Sequence, residues 1–256
     1  MTKRNLDRLY HAIPLHYLPS LFSSGALFAQ SVLTGHDLSA RSPDVKCNTG
    51  AMRAALGRHG FACRLGELPS VPGGIRPRSS ATRRDRMLGL DHFVHLSPAS
   101  MSPLLADKLQ RGYPHALLVF DAGPILDMPE VALVPYNTKA WRSRACFEPV
   151  SDPAERAAVL RRYRETDRLP SLEILVKYGL PLTYLTTVAF IDDHEREACE
   201  QAVASTAIDR RLWVTAPSLF PRTDTYSPTG WDTIAAYFDR CRLGNSNVGP
   251  PAILFD

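Results

Sequence analysis

The chain lacks the marks of several large protein classes. Its five cysteines, Cys47, Cys63, Cys146, Cys199 and Cys241, are odd in number, widely spaced and without a CxxC pair. That argues against a disulfide framework and a structural zinc site and leaves buried thiols as the ordinary reading. No apolar run approaches the roughly 20 residues that span a bilayer. The start, MTKRNLDRLYHAIPLHYL, is charged and then broken by proline, unlike a signal peptide. A cytoplasmic protein without membrane association is the expectation. GxGxxG after a strand, GxxxxGK[ST] and GxSxG are all missing, so a bound nucleotide would be held by neither a Rossmann turn nor a P-loop, and no hydrolase elbow is present. His92 and His95 lie three apart on an expected strand and so face opposite sides, with only Asp91 at ligand spacing. No metal is expected.

What remains is the composition of an ordinary folded domain: 256 residues, 45% hydrophobic and 22% charged, enough for a single domain spanning 1–256 with a useful core. The net charge of +4 is modest, but its distribution is uneven. Arg76, Arg78, Arg83, Arg84 and Arg86 crowd one stretch, and Arg156, Arg161, Arg162, Arg164 and Arg168 another. Segregated arginine suits a polyanion or a phosphate-bearing cofactor. A solvated helix face explains the second group equally well.

Strands are expected at 9–13, 26–29, 91–98, 115–121, 131–135, 172–177, 185–191 and 211–215. Helices are expected from near Tyr17 to a Gly25 terminator, over 101–113, from the Asp152–Pro153–Glu155 capping signal to about Asp167, and over 194–205 and 230–241. The helix after Asp152 shows an Ala157–Leu160–Tyr163 stripe with arginines outside, and GLPL after 172–177 reads as a turn or crossover. Residues 34–82 are dense in Gly, Pro and Ser with poor periodicity and read as a loop or lid insertion carrying one short helix at 50–58. Strands and helices do not alternate cleanly, which favours a mixed α+β domain.

Glu173 is the sharpest candidate for chemistry. It opens an apolar strand between Leu172 and Ile174, with no basic residue following until Lys177. A carboxylate half-withdrawn from water is costly unless it has a partner or a task. One such task is to stabilise positive charge developing on a sugar carbon, as in glycosidic bond cleavage; the plain alternative is a strand-end glutamate in solvent. His11, at the end of a short apolar strand, is either an ordinary satisfied histidine or a partner for a ribose hydroxyl. The TRRDR run at 82–86 is either a solvated loop or a source of guanidinium for a pyrophosphate or a base.

Taken in order, Tyr10–His11, a helix closed by Gly25, an arginine pair, a strand with proline, and Glu173 in an LEILVKYGLPL frame resemble the DarT family, enzymes that move ADP-ribose from NAD onto a DNA base. The match is best at 9–28 and 172–191, 40 of the 256 residues. Departures are Pro14 where the family pattern YHxxH has a second histidine, His95 where a tyrosine or phenylalanine is expected, and the long 34–82 segment. The resemblance implies an ADP-ribosyltransferase-like split β-sheet core with flanking helices, and NAD as co-substrate. It implies Glu173 and Arg84 as catalytic residues, and His11, Ala12 and His95 in the NAD pocket. It places Arg83 and Arg86 against nucleic acid, with Arg83 also standing next to Arg84 as the catalytic arginine. It implies a toxin acting on single-stranded DNA and a macrodomain antitoxin as partner. The same fold acting on RNA or protein, hydrolysing NAD, or removing a 2′-phosphate from RNA is an alternative reading. A non-enzymatic nucleic-acid-binding module built on the arginine clusters is another.

Overall fold

The structure, a computed structural model, describes residues 6–30, 90–101, 103–134, 150–165, 172–202 and 210–221. Elements are numbered over these residues. The 34–82 segment with its expected helix at 50–58, and the expected helix at 230–241, lie outside them.

The first sheet has the order β1 (Arg8–Pro14), β4 (His115–Asp121), β8 (Leu185–Phe190), β9 (Trp213–Thr215), antiparallel except for β8 and β9. The second has the order β3 (Phe93–Leu96), β6 (Glu173–Lys177), β5 (Val131–Val134), all antiparallel. A short pair joins β2 (Ala26–Phe28) to β7 (Gly179–Pro181). The two larger sheets meet at one bridge, where Tyr10 and Ser97 exchange backbone hydrogen bonds of 2.8 and 2.9 Å. Beyond that bridge β1 and β3 part, and the sheet is split. The expected mixed α+β class with a split sheet is what the chain forms.

Pattern explains the placement. In β4, HALLVFD is buried at every position except Asp121, as a central strand covered on both faces should be. Strand alternation then sorts the core. Leu9, Ile13, Leu118 and Phe120 from the first sheet join Val94, Leu96, Ile174 and Val176 from the second in the main cluster. Leu117 and Ala189, on the other face of the first sheet, pack against Leu105 and Leu109 of α2 (Pro103–Gln110) and against Phe220. Leu175 and Val134 on the outer face of the second sheet form a third cluster with Leu90 and Ala132.

The helix signals are met. α1 (Leu18–Ser24) follows a 3₁₀ turn at Leu15–Tyr17, carries proline in its first turn, and ends at Gly25 with φ 70°, whose N–H reaches the Leu21 carbonyl at 3.1 Å. α4 (Pro153–Glu165) is capped by Asp152, whose Oδ1 accepts from the N–H groups of Ala154 and Glu155 at 2.9 and 3.0 Å. In α5 (Asp193–Ala202) the Glu195 N–H reaches Asp192 Oδ1 at 2.8 Å. Among the described residues no helix is long and apolar enough to cross a membrane.

Several expectations are corrected. GLPL is not merely a turn: Gly179–Pro181 form β7 and pair with β2, because Tyr178 bends the chain out of the second sheet. His92 lies not on a strand but in a 3₁₀ turn, Leu90–His92, buried against Tyr178 with ring centroids 6.2 Å apart. The short helix α3 (Ala122–Leu126), capped by Asp121 through the Gly123 N–H at 3.1 Å, was not expected because AGPIL is brief and carries both Gly and Pro. In α4, Ala157 is exposed and the inward face carries Arg156 and Tyr163. The Arg156 guanidinium is therefore not on the outer face. Its Nη1 donates to the carbonyls of Met128 and Val131, both at 2.8 Å, clamping α4 to the start of β5.

His115 is buried on the α2 side of β4 and donates Nδ1–H to the Tyr113 carbonyl at 2.9 Å. Burial pushes its imidazole from 6.5 down to about 4, with repulsion from Lys108 and His11 adding to this and the hydrogen bond opposing it.

Two outcomes are expected. Arg156→Ala strands two buried carbonyls and lowers the free energy of unfolding by about 3 kcal/mol, read from urea unfolding with an unchanged slope. For His115, the unfolded chain takes up a proton near 6.5 that the folded chain refuses until about 4. Stability is level above that window and falls as pH drops through it, by about 3 kcal/mol from this group. His115→Asn, which keeps a donor for the Tyr113 carbonyl, flattens that slope in unfolding curves taken from pH 7 to pH 4.

Candidate active site

The site begins where the sheet splits. Tyr10 turns its backbone N–H and C=O toward β3 and bonds Ser97. Alternation gives Ala12 the same direction, but there β3 has diverged, and among the described residues no strand pairs with Ala12 on that side. At the same level the His95 carbonyl would also be left without a partner from β1. His11 supplies one: its Nδ1 lies 2.8 Å from that oxygen. His11 sits in the middle of β1 rather than at its end.

A carbonyl oxygen only accepts, so His11 Nδ1 carries the proton and Nε2 of the neutral ring is an acceptor. Burial lowers the imidazole below its ordinary 6.5, the bond to the His95 carbonyl raises it, and repulsion from the His95 ring lowers it again. The ring is thus held neutral near pH 7 with a fixed tautomer, and Nε2 is available to a hydroxyl.

The His95 side chain points the other way, toward Glu173. Register fixes this: His95 opposes Leu175, which places Glu173 diagonally across on the same face. His95 Nδ1 lies 3.4 Å from Glu173 Oε2, and Nε2 lies 3.2 Å from the Leu90 carbonyl. The first contact is longer than a good hydrogen bond and orients by charge more than by sharing a proton. With an oxygen acceptor at each nitrogen, the ring serves both only as imidazolium. The side chains of His95 and Glu173 are 35% and 21% exposed, so the carboxylate is half-withdrawn from water yet reachable from it. Glu173 is the first residue of β6, opposite Val134 of β5, and Leu172 just before it is buried.

His11, His95 and Glu173 are therefore brought together, and Ala12 sits beside them with its backbone turned to the split. Arg83, Arg84 and Arg86 lie outside the described residues. His95 is the surprise of the group: its carbonyl fixes one candidate and its ring faces the other. The sequence marked the histidine by its departure from the aromatic expected there, but only the pairing of β3 with β6 reveals the link. Ser97, which carries the bridge, and Tyr178, which turns the chain after β6, were missed. Tyr178 is a buried non-glycine residue at φ 68°. Its N–H bonds the His92 carbonyl at 2.7 Å and its carbonyl accepts from Ala29 at 2.9 Å, which offsets a strain of about 1–2 kcal/mol. The glycine that follows it was a signal for a sharp corner.

No family model matches the sequence, and no curated protein matches it at a significant level. Among solved structures the chain is similar to DarT of Thermus sp. 2.9 in complex with carba-NAD+, with a TM-score of 0.50 at 13% identity over 85% of this chain and 99% of that one. The same DarT in complex with NAD+ aligns with a TM-score of 0.49 at 14% identity over 86% of this chain and 100% of that one. DarTG of Thermosipho africanus in complex with ADP-ribose aligns with 0.47 at 13% identity over 83% and 50%. The first of these alignments shows a DarT-like fold.

Proposed function

We propose that the protein is an NAD-dependent ADP-ribosyltransferase whose acceptor is a base in single-stranded DNA, acting as a toxin restrained by a macrodomain antitoxin. The observation that carries the transferase reading is the His11–His95–Glu173 arrangement at the split. It links a neutral hydroxyl acceptor, a strand edge with no partner strand among the described residues, and a half-buried carboxylate through the carbonyl and the ring of His95. The acceptor and the partner rest on the resemblance of the 9–28 and 172–191 segments and on the fold shared with DarT.

The residues present fit NAD. A carboxamide has one donor edge and one acceptor, which the outward N–H and C=O of Ala12 complement as a neighbouring strand would. His11 Nε2 accepts from a ribose hydroxyl. Bound NAD supplies an ADP-ribosyl group on a cationic leaving pyridine. Glu173 places a negative charge where positive charge develops at the ribose carbon, in a cleft where that charge is poorly screened. His95 holds the carboxylate in place from one side and keeps His11 in register through its own carbonyl. In this reading Arg84 positions the acceptor or the phosphates, with Arg83 and Arg86 on the nucleic acid.

The test is incubation of the purified protein with NAD and single-stranded oligonucleotides of varied base content, read by mass. The expected product is an oligonucleotide heavier by one ADP-ribose. Glu173→Gln lowers the rate by about 10²–10³-fold; a variant that keeps wild-type transfer overturns Glu173 as the catalytic carboxylate. His11→Asn separates holding the fold from holding the ligand. Its amide still donates to the His95 carbonyl but offers nothing in place of Nε2. The expected result is a melting temperature close to wild type with a KM for NAD raised about tenfold.

A further inference from the structure

A cavity of about 470 Å³ opens at the end of the first sheet, on the Arg8 side of the Tyr10–Ser97 bridge, away from Ala12 and His95. Its floor is the start of β1, with Arg8 and Tyr10, the end of β4 at Asp121, and Thr186 and Thr187 of β8, while Pro98 forms a wall. Two features keep it open. β4 and β8 shift register between Val119 and Phe120, and the Thr186 hydroxyl caps the Val119 carbonyl at 3.0 Å, the kind of irregularity that re-aims side chains at a sheet end. The Ala122 N–H bonds the Asp7 carbonyl at 3.1 Å, which sets Asp7 beside Asp121.

The row of opposed residues places this cavity relative to the site. Thr187 opposes Val119, Val119 opposes Tyr10, and Tyr10 opposes Ser97. Continuing the β3–β6 register one step past Leu96 and Ile174 brings Ser97 level with Glu173. Opposed residues of antiparallel strands share a face. Tyr10 and Glu173 therefore stand on one face, two strand spacings or about 10 Å apart.

The lining has an unusual balance. Arg8 and Asp121 are cross-strand neighbours, yet among the described residues neither the Arg8 guanidinium nor the Asp7 carboxylate takes part in a hydrogen bond or ion pair. Asp121 spends one oxygen on the Gly123 N–H and keeps the other. Two carboxylates against one guanidinium disfavour a phosphate. They suit a flat group with adjacent N–H donors on one edge and acceptors on another, held between a phenol ring and a proline. Among nucleobases guanine has that pattern: N1–H and the N2 amino group face carboxylates, and O6 and N7 accept from arginine.

We propose that this cavity is a base-reading subsite that takes an unpaired guanine flanking the acceptor nucleotide. Asp7 and Asp121 read its donor edge, Arg8 reads its acceptors, and Tyr10 and Pro98 stack on it. The inference rests on the reading that the acceptor is single-stranded nucleic acid. Its test uses binding without NAD, so that failure here and failure of the transferase reading remain distinct. Fluorescein-labelled oligo-dA carrying one central guanine, cytosine or thymine is titrated with wild type and with the Asp7→Asn/Asp121→Asn double variant; asparagine at 121 keeps the oxygen that caps α3. Wild type is expected to bind the guanine oligonucleotide about tenfold more tightly than the others. The double variant is expected to lose that preference while binding plain oligo-dA at least as well. Equal binding of all the oligonucleotides by wild type, or a preference that survives the double variant, overturns the proposal. A circular-dichroism spectrum and melting temperature matching wild type show that the double variant is folded; should it not fold, Arg8→Ala, at an exposed position, is expected to reduce the same preference and takes its place.

Discussion

The architecture depends on the brevity of one strand contact. β1 and β3 share a single bridge, Tyr10 with Ser97, and then separate. A backbone edge inside a protein is costly when its N–H and C=O groups have no partners. Here the expense is divided. The His11 ring occupies the His95 carbonyl, and the Ala12 edge is left facing the opening. The cleft is thus a place where a sheet stops short, and its polar backbone edge follows from the hydrogen bonds that the two strands do not make with each other.

The two faces of the joined sheet divide the labour. Leu9, Ile13, Leu118, Phe120, Val94, Leu96, Ile174 and Val176 look inward and form the main core. Tyr10, Ser97, His95 and Glu173 look the other way. Because alternate residues belong to opposite faces, the same strands that supply the core hold the polar groups, and Glu173 and His95 each sit between two apolar anchors. Glu173 lies between buried Leu172 and Ile174, and His95 between buried Val94 and Leu96. Such positions restrict side-chain motion without a dedicated loop.

Much of this was legible in the sequence, and the gaps have physical causes. Strands with strong apolar runs, such as HALLVFD, and helices with local signals, such as Asp152–Pro153 and Gly25, appear where expected because their determinants are near in the chain. Glu173 stood out because a carboxylate opening an apolar strand is costly. What was not legible depends on pairing between distant segments. β7 is a strand only because β2 lies beside it. Arg156 is buried only because two carbonyls at the β5 turn await it. His95 faces Glu173 only through the β3–β6 register. In each case the partner lies dozens of residues away, where neither periodicity nor propensity reaches.

Tyr178 has a mechanical significance that its position outside the cleft conceals. Its N–H holds the turn that leads into β3, and its carbonyl holds the residue after β2, the strand that follows β1 and α1. The left-handed kink thus joins the second sheet, which bears His95 and Glu173, to the segment that leaves β2. One residue outside the split thus fastens the second sheet to the β2–β7 pair at a single corner.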